Sequence, residues 1–546
     1  MKIPITIGVT GHRDLRENDI PALRSEVAGQ LGQIRAKYPN SPIRILSSLA
    51  TGGDTLCAQE ALKLGIELVC PLPMPLEDYR KDFSEEELPV FESLLSAAKE
   101  YFTVEGGSAD KTGLERGYRL AGLYIAKHCH VLMALWDGSP AKRDGCGTAE
   151  AVDFMLSGVD SLDKDPFSRT GFEAAVIHIL TPRASRPQET FSIKTTLIEN
   201  KPGIPGEAMK QTERFNKDSA SVEDNPGNPP AKGEIVLRAG KKAGIMGDVY
   251  RTVSRLSGIN QKKYLSSMKT LSILAIFMAL SLLIYGSSET KLYLAGYGIM
   301  LALSALVLFV SEKRDYHGKY LQYRVLSETL RAQFFLCCAN IEDNITEQFT
   351  WTQKTDSLWI KKALDSLLVG GKGESKVSTE EIKTAWIVGQ LNYHLSARKK
   401  NSRKHKLNKG TSGAVFVLSL VALLAVGAAE FFFPEYLDKV LPLGGHKLLL
   451  LLNSNEDITL RSLLSLILSI LPICALFFSN YYGKLSLERK IEDNDKMAVL
   501  YQTAKEACEN STCEPCDLFF RLAREEIIES GNWFCYCRGN SLGVEL

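Results

Sequence analysis

The sequence has almost no excess of charge of either sign, and its cysteines are far too sparse for a disulfide scaffold. Its 546 residues contain 65 Lys and Arg against 64 Asp and Glu, a formal net charge of +1, and 12 cysteines. The balanced charge gives no general reason to expect nucleic-acid binding. The low cysteine content excludes a small disulfide scaffold, and the 45% of hydrophobic residues exclude disorder of the whole chain. As averages, these values describe several globular domains.

Four stretches lack Asp, Glu, Lys, Arg and His over a length that spans a bilayer. They contain 19, 20, 20 and 22 residues and are 270–288, 292–311, 410–429 and 462–483. About 20 apolar residues, each rising about 1.5 Å, cover a hydrocarbon core of about 30 Å. Buried core helices are the alternative, but they would have to be apolar on every face. The sequence therefore predicts an all-α membrane region with four transmembrane helices.

Lysine and arginine gather on one side of the predicted spans. Residues 398–409 hold seven of them in twelve positions directly before the third span. Basic residues favour the cytoplasmic side, so we expect a multi-pass protein of the cell inner membrane with both termini in the cytoplasm. We expect residues 398–409 to lie near anionic lipid headgroups. Residues 1–10 have the pattern of a strand rather than of a secretory signal.

The composition of the spans also bears on function. They contain no Asp, Glu, Lys, Arg or His at mid-depth, which disfavours a transporter or an ion pump. Small residues recur within them, and such residues permit close helix packing. We therefore expect a homo-oligomer in the lipid bilayer.

Residues 1–185 alternate short apolar runs with helical stretches. Strands are predicted over residues 3–9, 43–49, 67–70, 131–135 and 175–180, and helices over residues 20–36, 54–64, 85–99, 112–128 and 148–155. This alternation predicts an α/β domain whose parallel sheet is covered by helices. In such folds, ligands bind beyond the carboxyl ends of the strands.

Polar turns that contain glycine follow several of these strands, which indicates a candidate phosphate site. Backbone N–H groups at such turns and at helix N-termini suit a phosphate. One glycine-rich turn is more often only a turn, and His12 alone fits a buried capping residue. Several such turns at one sheet edge favour a ligand. The candidate ligand-binding residues are Gly11, His12, Arg13, Ser47, Ser48, Gly52, Gly53, Asp54, Asp137, Gly138, Gly145, Gly147, Thr148 and Glu150.

Five motifs follow one another within residues 1–185: GVTGHRDL, SSLATGGDTLCAQEAL, ALWDG, GCGTAEAV and VIHILTPR. Their order resembles the SLOG superfamily of Rossmann-like domains. The resemblance implies that this part of the chain binds a nucleotide or cyclic-nucleotide messenger, and it implies no other cofactor.

One of these motifs bears on catalysis. GCGTAE looks like a shortened form of the PGGxGTxxE motif of the LOG-type phosphoribohydrolases. In those enzymes the glutamate works with an arginine to cleave a ribosyl bond, which makes Glu150 and Arg119 the candidate catalytic residues if this chain is an enzyme. The PGG part is absent and Glu150 stands one position early. These departures from the enzyme motif favour sensing over catalysis.

The membrane half carries two further motifs, YRVLSETLRAQFF and WIVGQLNY, on long helices beside a two-span hairpin. This layout resembles the SLATT family, whose two-transmembrane domains accompany SLOG domains. A second hairpin followed by ESGNWFCYCR resembles it less closely. The expected organisation is a SLOG-like domain (1–185), a linker (186–249), a first SLATT-like unit (250–400) and a second SLATT-like unit (401–546).

The two resemblances together imply a membrane effector of bacterial antiphage defence. We expect the SLOG-like domain to sense a nucleotide-derived messenger and the spans to permeabilise the inner membrane. A membrane-tethered hydrolase of nucleotides or ribosyl bonds and a scaffold without catalytic activity are the alternatives. We expect no metal site, since the cysteines near the C-terminus do not repeat a paired zinc-knuckle spacing.

Overall fold

The structure is a computed structural model. It describes the chain except residues 106–110, 142–146, 158–173, 187–191, 201–205, 289–290, 439–459, 485, 511–512 and 540–546. The chain divides into two compact units, each made of three segments. Unit 1 comprises Met1–Leu256, Gln322–Ile382 and Glu514–Phe534, and unit 2 comprises Ser257–Leu321, Lys383–Cys513 and Cys535–Leu546.

Unit 1 contains a seven-stranded sheet with the order β4-β3-β2-β1-β5-β6-β7. Adjacent strands are parallel except β6 and β7, which are antiparallel. The predicted parallel α/β fold is thus confirmed, with one antiparallel edge added. The strands are β1 (Ile5–Gly11), β2 (Ile43–Leu46), β3 (Glu67–Leu72), β4 (Glu100–Thr103), β5 (Val131–Trp136), β6 (Ala175–Leu180) and β7 (Thr195–Glu199).

Helices cover both faces of this sheet. One buried cluster includes Ile7, Leu23 and Met133, and a second cluster includes Leu132 and Met155. The central strands bury side chains on both faces, which is why they appear as continuous apolar runs in the sequence. The helices of this part of the chain are α1 (Ile20–Lys37), α2 (Gly53–Lys63), α3 (Leu76–Tyr79), α4 (Leu88–Ala97), α5 (Lys111–His128) and α6 (Thr148–Ser157).

The rest of the described chain is helical. Its helices are α7 (Glu207–Ser219), α8 (Gly233–Arg238), α9 (Gly240–Ser288), α10 (Lys291–Arg314), α11 (Tyr316–Cys338), α12 (Trp351–Asp356), α13 (Leu358–Leu367), α14 (Thr379–Ile382), α15 (Gly389–Phe432), α16 (Pro434–Leu437), α17 (Leu460–Lys484), α18 (Leu487–Glu509) and α19 (Pro515–Arg538). A π-helical turn, Lys383–Val388, precedes α15.

The stretch assigned to a linker, 186–249, contains parts of the folded unit. β7 pairs with β6 along five residues, and α7 packs under the start of β1. The side chain of Asn216 on α7 accepts from the Ile3 N–H and donates to the Ile3 carbonyl, both at 2.8 Å. Because the hydrogen bonds between Ile3 and Asn216 join residues 213 positions apart, the polar local sequence does not reveal them.

Residues of α13 pack against the amino-terminal edge of the sheet. The hydroxyls of Thr6 on β1 and Ser366 on α13 lie 2.7 Å apart. The buried ammonium group of Lys362 donates to the carbonyl of Cys129 at 2.8 Å. This helix therefore belongs to the same compact unit as the sheet, although it follows the second predicted span in the sequence.

Three helical segments are long and apolar enough to cross a membrane. They are Gly240–Gly286, Lys291–Cys338 and Thr379–Phe432, and they contain residues 270–286 of the first predicted span and all of the second and third. Apolar side chains of the third segment are exposed, for example Phe416 and Leu424 at 65% each. The fourth predicted span, 462–483, lies within α17, which is not among the span-sized apolar helices of the described chain. The three span-sized segments indicate that the protein is membrane-associated.

Candidate ligand-binding site

A cavity of about 580 Å³ opens at the carboxyl ends of β1 and β5. These strands are neighbours at the centre of the sheet, and the strand order runs outward from them in both directions. Such a reversal leaves a crevice in which doubly wound folds bind ligands. The volume lies in the range of small-molecule sites. Side chains that follow β1, β2, β5 and β6 line the cavity, together with the start of α6.

Two glycines allow α2 to begin close to the end of β1. A Cβ atom on Gly11 would lie 2.7 Å from the Cα of Gly53. The N–H of Gly53 donates to the carbonyl of His12 at 2.9 Å. Gly52 has a φ of 91°, which favours glycine. The first turn of α2 therefore reaches the floor of the cavity.

Arg13 holds its guanidinium at the cavity wall through two partners. Its Nη1 lies 2.8 Å from Oδ2 of Asp82, and its guanidinium carbon lies 5.1 Å from the ring centre of Tyr118. The hydroxyl of Tyr118 donates to the same Asp82 oxygen at 2.5 Å. This arrangement fixes the cation but uses only part of its five donors, so the guanidinium can also bind an anion.

Asp54 is a buried carboxyl group on the first turn of α2. Its side chain lines the cavity and the residue is only 6% exposed. Burial raises its pKa to about 7, against the opposing effects of the Arg13 charge and of hydrogen bonds with the backbone of Gly11 and Ala50. The group is therefore partly protonated at neutral pH, and its neutral form can donate a hydrogen bond to an anion.

His12, which also lines the cavity, is a neutral imidazole at neutral pH. Burial lowers its pKa, even though the nearby carboxylate of Asp137 acts in the other direction. The N–H of Asp137 donates to His12 Nε2 at 3.0 Å, which requires a lone pair on that nitrogen. The 3.2 Å approach of Nε2 to Asp137 Oδ1 is thus not an ion pair at neutral pH.

Two arginines after β6 complete the polar wall. Arg183 Nε lies 3.0 Å from Oδ1 of Asp14, and Arg186 Nη1 lies 3.4 Å from Oδ2 of Asp137. Arg16 supports this segment, since its Nη2 donates to the carbonyl of Arg186 at 2.6 Å. The cavity therefore presents guanidinium groups from two separate strand ends.

The N-terminus of α6 forms another part of the cavity wall. Gly147 and Thr148 line the cavity, and the N–H of Glu150 donates to the carbonyl of Gly147 at 3.1 Å. Glu150 Oε1 lies 3.2 Å from Nε of Arg119 on α5. The helix N-terminus adds a partial positive charge that favours a phosphate.

The structure brings most of the candidate residues together, but not all of them. Nine line the cavity: Gly11, His12, Arg13, Ser48, Asp54, Asp137, Gly147, Thr148 and Glu150. Ser47, Gly52, Gly53 and Gly138 do not line it. Ser47 instead shapes its turn, because its Oγ accepts the N–H of Leu49 at 3.1 Å. Gly145 lies outside the described residues.

Several lining residues were not among the candidates. They are chiefly Asp14, Tyr79, Asp82, Tyr118, Trp136, Arg183 and Arg186. The available signal for Arg183 was its position three residues after the predicted strand 175–180, because the end of that strand lies at the same edge of the sheet. The aromatic residues carried no such signal because their spacing equals that of core positions. Within the described ranges, no group of three or more His, Cys, Asp or Glu side chains could hold a metal ion.

Comparison with known proteins gives little beyond this geometry. No protein-family model matches the sequence, and no curated protein matches it. Among solved structures, the chain is similar to the X-ray structure of DNA processing protein A (DprA) from Streptococcus pneumoniae. The match has 16% identity and a TM-score of 0.21, and it covers 29% of this chain and 52% of that one. The evidence on function is therefore the cavity and the span-sized helices themselves.

Proposed function

We propose that the protein is a membrane effector that binds a nucleotide-derived messenger in the β1/β5 cavity and then permeabilises the inner membrane. The observation that carries the proposal is the presence, in one chain, of this cavity and of three helices long enough to span a bilayer. The resemblance to SLOG and SLATT domains adds bacterial antiphage defence as the setting.

The cavity lining suits a nucleotide. Arg13, Arg183 and Arg186 offer guanidinium donors, which bind phosphate bidentately. Tyr118 and Trp136 offer ring surfaces on which a base can stack. Because each of these guanidinium groups also contacts a carboxylate, the phosphate has to share the cation or displace the acidic partner.

Two features support communication between the cavity and the spans. β1 has seven residues, about 23 Å at 3.3 Å each, and it connects the cavity at Gly11 to the α13 contact near Thr6. α9 runs as one helix from Gly240 to Ser288 and contains the first charge-free stretch. A ligand that favours one arrangement of the cavity can act on the spans only through its differential affinity for two states.

The finer membrane arrangement belongs to the same proposal. It includes a fourth span within α17, both termini in the cytoplasm, two SLATT-like units and assembly of several copies. The basic residues before the third span support the orientation.

The proposal is tested first by ligand binding to the full chain in detergent. Nucleotides, cyclic nucleotides and NAD-derived metabolites are screened by the shift in melting temperature. A binding ligand should lose about 10- to 100-fold in affinity in the Arg183→Gln variant, the cost of one charge-assisted hydrogen bond. Arg35→Gln is the control, since Arg35 is exposed on α1 and, among the described residues, its side chain donates a hydrogen bond to the Leu64 carbonyl alone. The proposal fails if no compound binds, or if both variants bind equally well.

A second candidate function is hydrolysis of a nucleotide or ribosyl bond. The contact between Arg119 and Glu150 at the cavity edge favours it, because a carboxylate so placed can act as general base. Release of base or phosphate by the full chain, lost in Glu150→Gln, would support the enzyme. If the ligand is unchanged after long incubation with the protein, the cavity binds the ligand without hydrolysing it.

A further inference from the structure

The cytoplasmic half of α15 carries a cationic groove that the proposed function does not use. The groove lies along one face of α15, is closed on the other side by Ile491 of α18, and has a volume of about 750 Å³. Its lining residues on α15 recur at helical spacing: Leu395, Arg398, Lys399, Ser402, Arg403, Lys406 and Leu407. We call it the α15 groove.

Most of the positive charge in the α15 groove is available. Arg398 Nε lies 2.5 Å from Oδ1 of Asp495 on α18, so that cation is neutralised. Lys399, Arg403 and Lys406 are exposed and make no ion pair with any residue that the structure describes. Three adjacent cations without acidic partners repel one another, and an anion in the groove would relieve that repulsion.

The α15 groove lies where a membrane surface would be. α15 is continuous from Gly389 to Phe432 and contains the charge-free stretch 410–429. Lys406 precedes that stretch by four residues, about 6 Å at 1.5 Å per residue. The headgroup layer is about 5–7 Å thick on each side of the hydrocarbon core, so Lys406 lies within it. Lys399 lies about 10 Å further out along the helix.

We propose that the α15 groove binds the headgroup of an anionic phospholipid that carries two phosphates. Lys399 and Lys406, the outermost of the three cations, are seven positions apart on the helix, about 10 Å, which is longer than one phosphate group. Leu407 is the groove residue nearest to the charge-free stretch and is 62% exposed, so its side chain can contact the first part of an acyl chain. Basic pockets beside spans on the cytoplasmic side bind such headgroups. The site is independent of the β1/β5 cavity.

Neighbouring lysines on the same helix provide a matched control. Lys399→Gln with Arg403→Gln removes two cations from the groove. Lys400→Gln with Lys404→Gln also removes two positive charges, but at the positions that directly follow Lys399 and Arg403, where the side chains do not line the groove. All four residues are exposed, so neither pair of changes removes a buried contact.

The experiment is native mass spectrometry of the full chain in detergent, titrated with diphosphatidylglycerol, with phosphatidylglycerol and with inorganic pyrophosphate. Diphosphatidylglycerol should bind most tightly, and the groove variant should bind it about 30-fold more weakly, given about 1 kcal/mol per cation near anionic lipid. The control variant should bind like the wild type. Equal weakening in both variants would show diffuse attraction and overturn the site. Equal affinity for diphosphatidylglycerol and phosphatidylglycerol would overturn the claim that the groove selects a headgroup with two phosphates. Equal affinity for pyrophosphate and diphosphatidylglycerol would overturn the claim that the ligand is a lipid.

Discussion

Asp54 gives the most demanding test of the site's electrostatics. Its carboxyl group lies at the cavity floor, 6% exposed, with a pKa raised to about 7 by burial. An unfolded chain gives an aspartate its ordinary pKa near 3.8. Between these two values the folded protein holds a proton that the unfolded chain has released. The free energy of unfolding must therefore fall as pH rises from about 4 to about 7.

The magnitude follows from the distance between the two pKa values. They differ by about three pH units, and each unit corresponds to about 1.36 kcal/mol. Ionised Asp54 thus destabilises the folded domain by about 4 kcal/mol above pH 7. The Asp54→Asn substitution removes the charge and keeps an oxygen acceptor. It should raise the free energy of unfolding by a few kcal/mol at pH 8 and change it little at pH 4.

Glu60 on the same helix provides a control of opposite sign. Although burial raises its pKa, ion pairs with Lys63 and Arg24 outweigh that effect and hold the pKa below the ordinary value. Its stabilising contribution is therefore present above the unfolded pKa and is lost as pH falls through the folded pKa. Glu60→Gln should destabilise the domain at pH 8 and have little effect in acid.

The assay is hydrogen exchange of the full chain, read on peptides of β1 and corrected for the intrinsic pH dependence of exchange. Protection of β1 amides reports the opening of the sheet within the intact protein. Asp54→Asn should flatten the decline in protection between pH 5 and pH 8. Parallel curves for the wild type and Asp54→Asn would refute the argument that this carboxyl group is buried at a cost.

Two further predictions concern the packing around the cavity. Gly11→Ala should lower the melting temperature by several degrees, because a Cβ there would lie 2.7 Å from the backbone of α2. Gly32→Ala, with nothing within 4 Å, should be neutral or stabilise by up to about 1 kcal/mol, and equal effects would contradict the close approach. Asn216→Leu should cost about 2–5 kcal/mol, since both backbone groups of Ile3 lose a buried partner. Denaturant unfolding measures that loss against exposed Lys217→Leu, and equal losses would contradict the role of Asn216.

The central strands were predictable because their signal is local. Strands buried on both faces are continuous apolar runs, and β5 and β6 differ from the predicted 131–135 and 175–180 by one residue at most. The charge-free stretches gave three span-sized helices for the same reason. Composition alone determines these features.

The sheet edges and the extent of unit 1 could not be predicted in this way. β4 and β7 contain only half-buried and exposed residues, so neither forms an apolar run. The packing of α13 on the sheet depends on pairs such as Thr6 with Ser366, 360 residues apart. No local pattern encodes such a contact, and the polar stretch before α9 looked like a linker for the same reason.

The site was partly predictable because strand ends of a parallel sheet meet at one edge. That rule brings Gly11, Asp54 and Asp137 to one cavity. It does not separate residues that face the cavity from those that shape the turns, such as Ser47. It also does not indicate which arginine pairs with which carboxylate, because those pairings depend on side-chain directions across different strands.

The most direct test of the proposed function is ligand-dependent leakage from vesicles that contain the full chain. The ligand found in the binding screen is added to vesicles loaded with a self-quenched dye. Wild-type protein should release the dye only when the ligand is present, and Arg183→Gln, reconstituted to the same level, should need about 10- to 100-fold more ligand. A bound ligand without leakage, or leakage of equal extent with and without it, would contradict the account.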